Sequence, residues 1–305
     1  MTPRPVGLAA PLRALRPEAT DRLDVACARA WDAVDPELLD ALRTRAAAVL
    51  GHPDGRRIGA ADPTVAGCLE FAEQFAIDVS GIGDAEREAL RGHLGGDAAT
   101  DVVRALFLVE YALRLELVST RLFDGPVVAA DARPTDRPGD ASAALREALA
   151  EYQDAVVRGQ ALDPVLTELV RLRCARTHNC RICQTLRMAD ARDAGADDAL
   201  TAAVDRYETS DLDERTKAAL RVTDALITMP SSLSPAVAAA TRAVLAPDEL
   251  AELCLDVSKW STQKVHVALG TDAPDRLPLG AQGVSWFRFD SAGRVAGYSA
   301  RPDGA

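Results

Sequence analysis

A carboxylate followed twelve and fifteen residues later by two cysteines marks the chemically loaded stretch of this chain: Glu168, Cys180 and Cys183 in ELVRLRCARTHNCRICQTLR. Cysteines three apart share a face when helical and are within reach of a disulfide. A thiol in a first helical turn meets unpaired N–H groups and the positive end of the helix dipole, which favours thiolate. Glu168 is placed on the preceding helix as proton acceptor or relay; it is also in reach of Arg171 or Arg187 as an ordinary helical ion pair. Arg187, four residues after Cys183, is the electrostatic partner expected for that thiolate. His178 is an auxiliary candidate, either standing in for a relay group or capping a helix end. Three readings of the pair stay open: a redox-active dithiol, a compact metal site of Cys174, His178, Cys180 and Cys183, or two inert half-buried cysteines.

The elements that position these groups are helical. Asp163-Pro164 reads as an N-cap and first helical residue, starting a helix to about Thr177 with Leu166, Leu169, Val170, Arg173 and Thr177 on an inward stripe. Asn179 then caps a second helix that carries the cysteines and ends near Gly195. Further on, a short helix covers 196–207, and Ser210 with Asp213 forms a box starting one that runs to about Thr228. Ser234-Pro235 starts another, and a last long helix runs from Pro247 to about Leu269. His266, Lys259 and Trp260 lie on it and read as core or surface residues. The tail alternates large apolar and polar residues around Asp290-Ser291-Ala292-Gly293, which predicts a β-hairpin that packs as a flap or an oligomer contact.

The chain echoes itself. Asp35-Pro36 and Asp163-Pro164, 128 residues apart, both lead to a carboxylate (Asp40, Glu168) and then two arginines (Arg43 and Arg45, Arg171 and Arg173). A second match, CLEFAEQFAIDV with ALRVTDALITMP, is offset by 151, so the later copy carries 23 residues that the earlier one lacks. His52 and Gly55 stand at the positions aligned with the cysteines, which leaves one dithiol per chain. The expected division is residues 1–125 as a copy without dithiol, 126–141 as a Pro- and Asp-rich linker, 142–270 as the copy with the site, and 271–305 as a tail with the hairpin. The nearly all-apolar helix 102–117 must be buried, so the first copy is expected to pack on the second and support its site.

Composition bounds the rest. The 305 residues favour helix and carry a net charge of −11, which argues against nucleic acid or an anionic membrane as partner. No signal peptide or membrane span is read, so a cytoplasmic location is expected. Six cysteines in that compartment should not form a disulfide framework, and Cys27, Cys68 and Cys254 read as small buried hydrophobes. No organic cofactor or metal is expected: there is no G-x-G-x-x-G after a strand and no phosphate loop.

The Glu168–Cys180–Cys183 spacing and the ELVRLR helix resemble the carboxymuconolactone decarboxylase and alkylhydroperoxidase D-like superfamily, whose pattern ends in a histidine where this chain has Arg187. The resemblance covers residues 142–270 most strongly. It implies an all-α fold of duplicated helical bundle units and a thiol–disulfide oxidoreductase of peroxidase type. Cys183 would attack a small-molecule oxidant, Cys180 would resolve the sulfenic acid, Glu168 would take the proton, and an external thiol would reset the pair. It further implies association of chains into a homo-oligomer, a dimer or trimer. Arginine holds a thiolate but shuttles no proton, so the peroxidase implication is weakened at Arg187. The alternatives are a decarboxylase-type lyase on a small carboxylated ring, and a non-catalytic binding or assembly protein of the same fold.

Overall fold

Prolines preceded by a capping side chain start several of the helices. Asp35 accepts N–H bonds from Glu37 and Leu38, Asp62 from Thr64 and Val65, Asp163 from Leu166, and Ser234 from Val237, each just ahead of Pro36, Pro63, Pro164 or Pro235. These caps satisfy N–H groups with no intrahelical partner, and the missing proline N–H costs nothing there.

The computed structural model describes residues 5–129, 136, 138–290 and 294–304. The fold is mainly helical. Strand β1 (Gly7–Ala9) leads into α1 (Ala10–Leu15), α2 (Pro17–Ala33), α3 (Pro36–Leu50), α4 (Pro63–Ile77), α5 (Asp84–Leu94) and α6 (Gly96–Leu122). Then come β2 (Val127–Ala129), α7 (Ala141–Val157), α8 (Pro164–Thr177), α9 (Arg181–Thr185), β3 (Leu186–Met188), α10 (Ala189–Asp193) and α11 (Asp198–Ala203). The chain continues through α12 (Glu214–Ile227), α13 (Pro235–Val244), α14 (Pro247–Ser261), α15 (Gln263–Leu269), β4 (Ser285–Phe289) and β5 (Val295–Ser299). Among the described residues no helix is long and apolar enough to cross a membrane.

Elements recur at the two offsets noted above. The α4 helix, the 3-10 turn Val79–Gly81 and α5 correspond at 151 residues to α12, the turn Pro230–Ser232 and α13. An ion pair recurs with them: Arg45–Glu73 joins α3 to α4, and Arg173–Asp224 joins α8 to α12 at the equivalent positions.

Several expected boundaries differ. The helix expected from Asn179 to Gly195 is two short helices interrupted by β3, because Leu186–Met188 pair in parallel with Ser285–Phe287 of β4. That pairing draws the backbone into an extended conformation that a helix cannot share. The last long helix divides into α14 and α15 around Thr262. Asp213 alone caps α12, while Ser210 Oγ accepts from Leu212 N. The stretch expected as a linker begins with β2, which is antiparallel to β1. Strands β4 and β5 pair antiparallel, with a register irregularity between Arg288 and Phe289; the expected turn residues Ser291, Ala292 and Gly293 lie outside the described residues, as do 130–135 and 137.

Helix α6 forms the centre of the packing, touching α2, α3, α12, α13, α14 and α15. Four of its polar residues, Asp101, Glu110, Arg114 and Ser119, are buried with it. Arg114 bonds Glu110, donates to the carbonyl of Ala76 at the end of α4 (2.7 Å), and donates to those of Leu226 (3.1 Å) and Thr228 (2.7 Å) at the end of α12. Lys264 of α15 completes the cluster at 3.0 Å from Glu110. One cation thus satisfies the last carbonyls of two equivalent helices, where positive charge is favoured. Replacing Arg114 with Met strands those acceptors and leaves Glu110 with Lys264 as its remaining partner. Urea titration of Arg114→Met is expected to show a loss of about 3–5 kcal/mol, the scale of a broken buried pair; a loss under about 1 kcal/mol would contradict this role.

Candidate active site

Helix α8 is buried on most of its sides, and two charged residues are buried in its middle. Leu166, Leu169 and Val170 are buried as expected, and so are Glu168 (1% exposed) and Arg171 (3%), one turn apart. Arg173 is only partly buried and pairs with Asp224 at 2.6 Å. Of the two partners in reach of Glu168, the fold takes Arg171, in a fork: Nε to Oε2 at 2.6 Å and Nη2 to Oε1 at 2.8 Å. Such a planar, bidentate pair is held in one geometry. The guanidinium has hydrogens left, and they reach the cysteine segment: Nη1 donates to the carbonyl of Cys183 (3.0 Å) and Nη2 to that of Leu186 (2.6 Å). Met188 N donates back to Glu168 Oε1 at 3.4 Å. The stretch from Cys183 to Met188 is therefore tied at three backbone groups to one buried ion pair, beside its pairing with β4.

Its other end is pinned by Asp272, which follows α15. Asn179 turns the chain in the left-handed region (φ 51°), which asparagine tolerates, and Cys180 becomes the N-cap of α9. Cys180 Sγ accepts the N–H of Cys183 at 3.3 Å. The carboxylate of Asp272 accepts from Arg181 N at 2.8 Å and from the Arg181 guanidinium at 2.7 and 3.1 Å, while its carbonyl accepts Ile182 N at 2.9 Å. Burial pulls the Asp272 carboxyl upward, but these bonds to Arg181 overcome it and hold the group below the usual carboxylate range. Between these two anchors Cys180 and Cys183 form a disulfide, with Cα atoms 5.3 Å apart. Cys180 is fully enclosed and Cys183 is 5% exposed.

The remaining candidates sit around this centre. Arg187 lies on β3, so it is not one helical turn from Cys183. Its Nη1 donates to the carbonyls of Gln184 (2.8 Å) and Leu186 (2.7 Å). Burial, then the charge of Arg171, pushes its pKa down, and Glu168 opposes them. His178 is the C-cap of α8, with Nε2 3.2 Å from Ser261 Oγ. Burial, then the charges of Lys264 and Arg114, drives it well below the ordinary histidine value, so it is neutral at pH 7. It lines a cavity of about 240 Å³ with Lys264, Thr228 and Phe75. The other four cysteines are free thiols in the interior, and burial raises each of them. Among the described residues no group of three or more His, Cys, Asp or Glu is arranged to hold a metal ion.

At His52 and Gly55, the positions aligned with the cysteines, the surroundings are differently built. Arg43 pairs with Asp54 at 2.9 Å, and a Cβ on Gly55 would lie 2.4 Å from the backbone nitrogen of Ala48, so nothing larger than glycine fits where Cys183 aligns. Residue spacing alone did not single out Asp272 or the carbonyl bonds of Arg171; the only local signal for Asp272 is its position just after the α15 stop at Gly270.

Residues 143–244 match the carboxymuconolactone decarboxylase family. Two uncharacterized proteins, from two strains of Mycobacterium tuberculosis, are each 39% identical to this chain over 241 residues, covering 74% of this chain and 81% of the relative. No solved structure matches.

The Asp272 tether has a pH signature. A carboxyl whose folded pKa is depressed stabilises the fold above its unfolded value of about 3.9 and loses that contribution as pH falls through the lower folded value. At neutral pH, Asp272→Asn should make the Cys180–Cys183 disulfide several-fold faster to reduce with a phosphine. The wild type should approach that rate only in acid below the ordinary carboxylate range. Equal rates for the two proteins at pH 7 would show that the tether does not hold the cysteine loop.

Proposed function

This chain belongs to the carboxymuconolactone decarboxylase family, and from that premise we propose that it is a thiol–disulfide oxidoreductase that reduces a hydroperoxide or related small oxidant. The chain would be two diverged copies of one helical unit, with the working dithiol in the second. The observation that carries the reading is the Cys180–Cys183 disulfide, closed between two anchors in a segment held by Glu168 and Arg171.

The two sulfurs differ in ways that assign roles. Cys183 is the more open, and Cys180 is enclosed and accepts the Cys183 N–H. An incoming reductant thiolate therefore meets Cys183 first, and Cys180 leaves as a thiolate stabilised by that N–H. In the oxidative half, the Cys183 thiolate attacks the peroxide, the O–O bond breaks, and an alcohol and a sulfenic acid result. Cys180 then attacks the Cys183 sulfur and displaces water as the disulfide closes. The balance is two thiols and one hydroperoxide giving one disulfide, one alcohol and one water. Glu168, whose oxygens keep lone pairs beyond those used by Arg171, is the proton acceptor, and Arg171 and Arg187 supply positive charge beside it. Near-complete burial of the sulfurs favours small oxidants, and an external dithiol is the reductant class that fits the exchange.

Titrating the reduced protein with hydrogen peroxide tests this. One equivalent should convert two thiols into the 180–183 disulfide, and Cys180→Ser should stop at a sulfenic acid on Cys183 that a cyclic dione traps. Site thiols that survive excess peroxide would refute the reading in favour of the lyase or the non-catalytic binding protein. Because Arg187 shuttles no proton near neutrality, Arg187→His should raise the peroxide rate by about tenfold or more. A lower rate in that variant would assign Arg187 to a different reaction.

A further inference from the structure

The chain has 35 Lys and Arg residues, of which only Lys217, Lys259 and Lys264 are lysine. Arginine supplies nearly all of the positive charge, yet two of the three lysines are buried, Lys259 at 8% and Lys264 at 3% exposed. Lysine differs from arginine chiefly in that it can give up its proton and act as a nucleophile. Lys264 is occupied as an ion, 3.0 Å from Glu110. Lys259 is not. Among the described residues its Nζ has no hydrogen-bond acceptor and no carboxylate within ion-pair distance; it lies over the rings of Trp260 (3.3 Å to the centroid) and Phe289 (4.5 Å).

This amine lines a cavity of about 300 Å³ between α7, the junction of α14 and α15, and the strands β4 and β5. Asp154 and Arg294 bring charge to the same space, Gln153 and Tyr298 add polar side chains, and Phe287 and Phe289 add apolar wall. On the other side of Trp260 and Phe289 lies a second cavity of about 380 Å³, lined by Asp256, one helical turn before Lys259. Asp256 is 5% exposed and, among the described residues, its carboxylate likewise accepts no hydrogen bond. Burial pushes the lysine down, with Asp256 opposing and Arg171 adding to it; burial, then Glu252, pushes Asp256 up. Both shifts favour the neutral forms of the two groups. A desolvated amine in an aromatic pocket is the arrangement in which lysine attacks carbonyl carbon.

We propose that Lys259 is an amine nucleophile that condenses with a small aldehyde or ketone seated in the cavity under the tail hairpin. The nitrogen adds to the carbonyl carbon, a C=N bond replaces C=O, and the oxygen leaves as water carrying the two nitrogen protons. No electrons change hands, so no oxidant or reductant is needed. Neither Cys180 nor Cys183 takes part, and the inference stands apart from the dithiol reading.

The test uses the full-length, disulfide-bonded wild type, in which the site sulfurs are blocked. It is incubated separately with propanal and with pyruvate, each in the presence of cyanoborohydride, which fixes an imine as a stable amine. Peptide mass mapping then compares the three lysines. Lys217, which is half-buried and lines neither of these two cavities, is the internal control for chance labelling. The expected result is modification of Lys259 about tenfold or more faster than Lys217 with at least one probe. Lys217 labelled as fast as or faster than Lys259 with both probes would overturn the proposal.

Discussion

The buried pair of Glu168 and Arg171 is the interaction on which the cysteine site depends. Two charges so deeply enclosed gain little net stability, because the cost of removing them from water offsets their attraction. What the pair provides is position. A fork held at 2.6 and 2.8 Å fixes the plane of the guanidinium, and that plane aims its remaining hydrogens at the carbonyls of Cys183 and Leu186. The carbonyls belong to a segment with little regular structure of its own: five residues of helix, then three of strand. Without such an anchor a short loop of this kind would sample many conformations, and the two sulfurs would not be kept at bridging distance.

The same pair links the site to the end of the chain. Arg171 lies over the ring of Phe287 at 5.7 Å, and Phe287 pairs in register with Met188. Phe287 packs edge-on against Phe289 at 5.4 Å, which in turn covers Lys259. The tail hairpin is therefore part of the wall of two neighbouring centres, the disulfide on one side and the buried lysine on the other. Asp272 performs the matching task from the other direction, holding the first turn of α9 through Arg181 and Ile182.

Much of the helical framework was legible in the residues, because its signals are local. Asp163-Pro164 starts a helix by chemistry confined to four residues, and the same holds at Asp35 and Ser234. The spacing of Glu168, Cys180 and Cys183 is a signal of the same local kind. The break in the cysteine helix was not legible, since Leu186–Met188 are helix-compatible and become a strand only through β4, far down the chain. Arg171 was visible as one partner for Glu168, but its bonds to two backbone carbonyls depend on tertiary placement that no pattern encodes. Lys259 read as an ordinary helical residue. Its place over the rings of Trp260 and Phe289, with no acceptor among the described residues, emerges only in the folded chain.

Amide hydrogen exchange in Arg171→Met tests the central claim most directly. If the guanidinium holds the cysteine segment, the amides of Arg181–Met188 should lose most of their protection while those of α12 and α14 keep theirs, because the loss is local. Unchanged exchange across Arg181–Met188, or equal acceleration throughout the fold, would contradict the account.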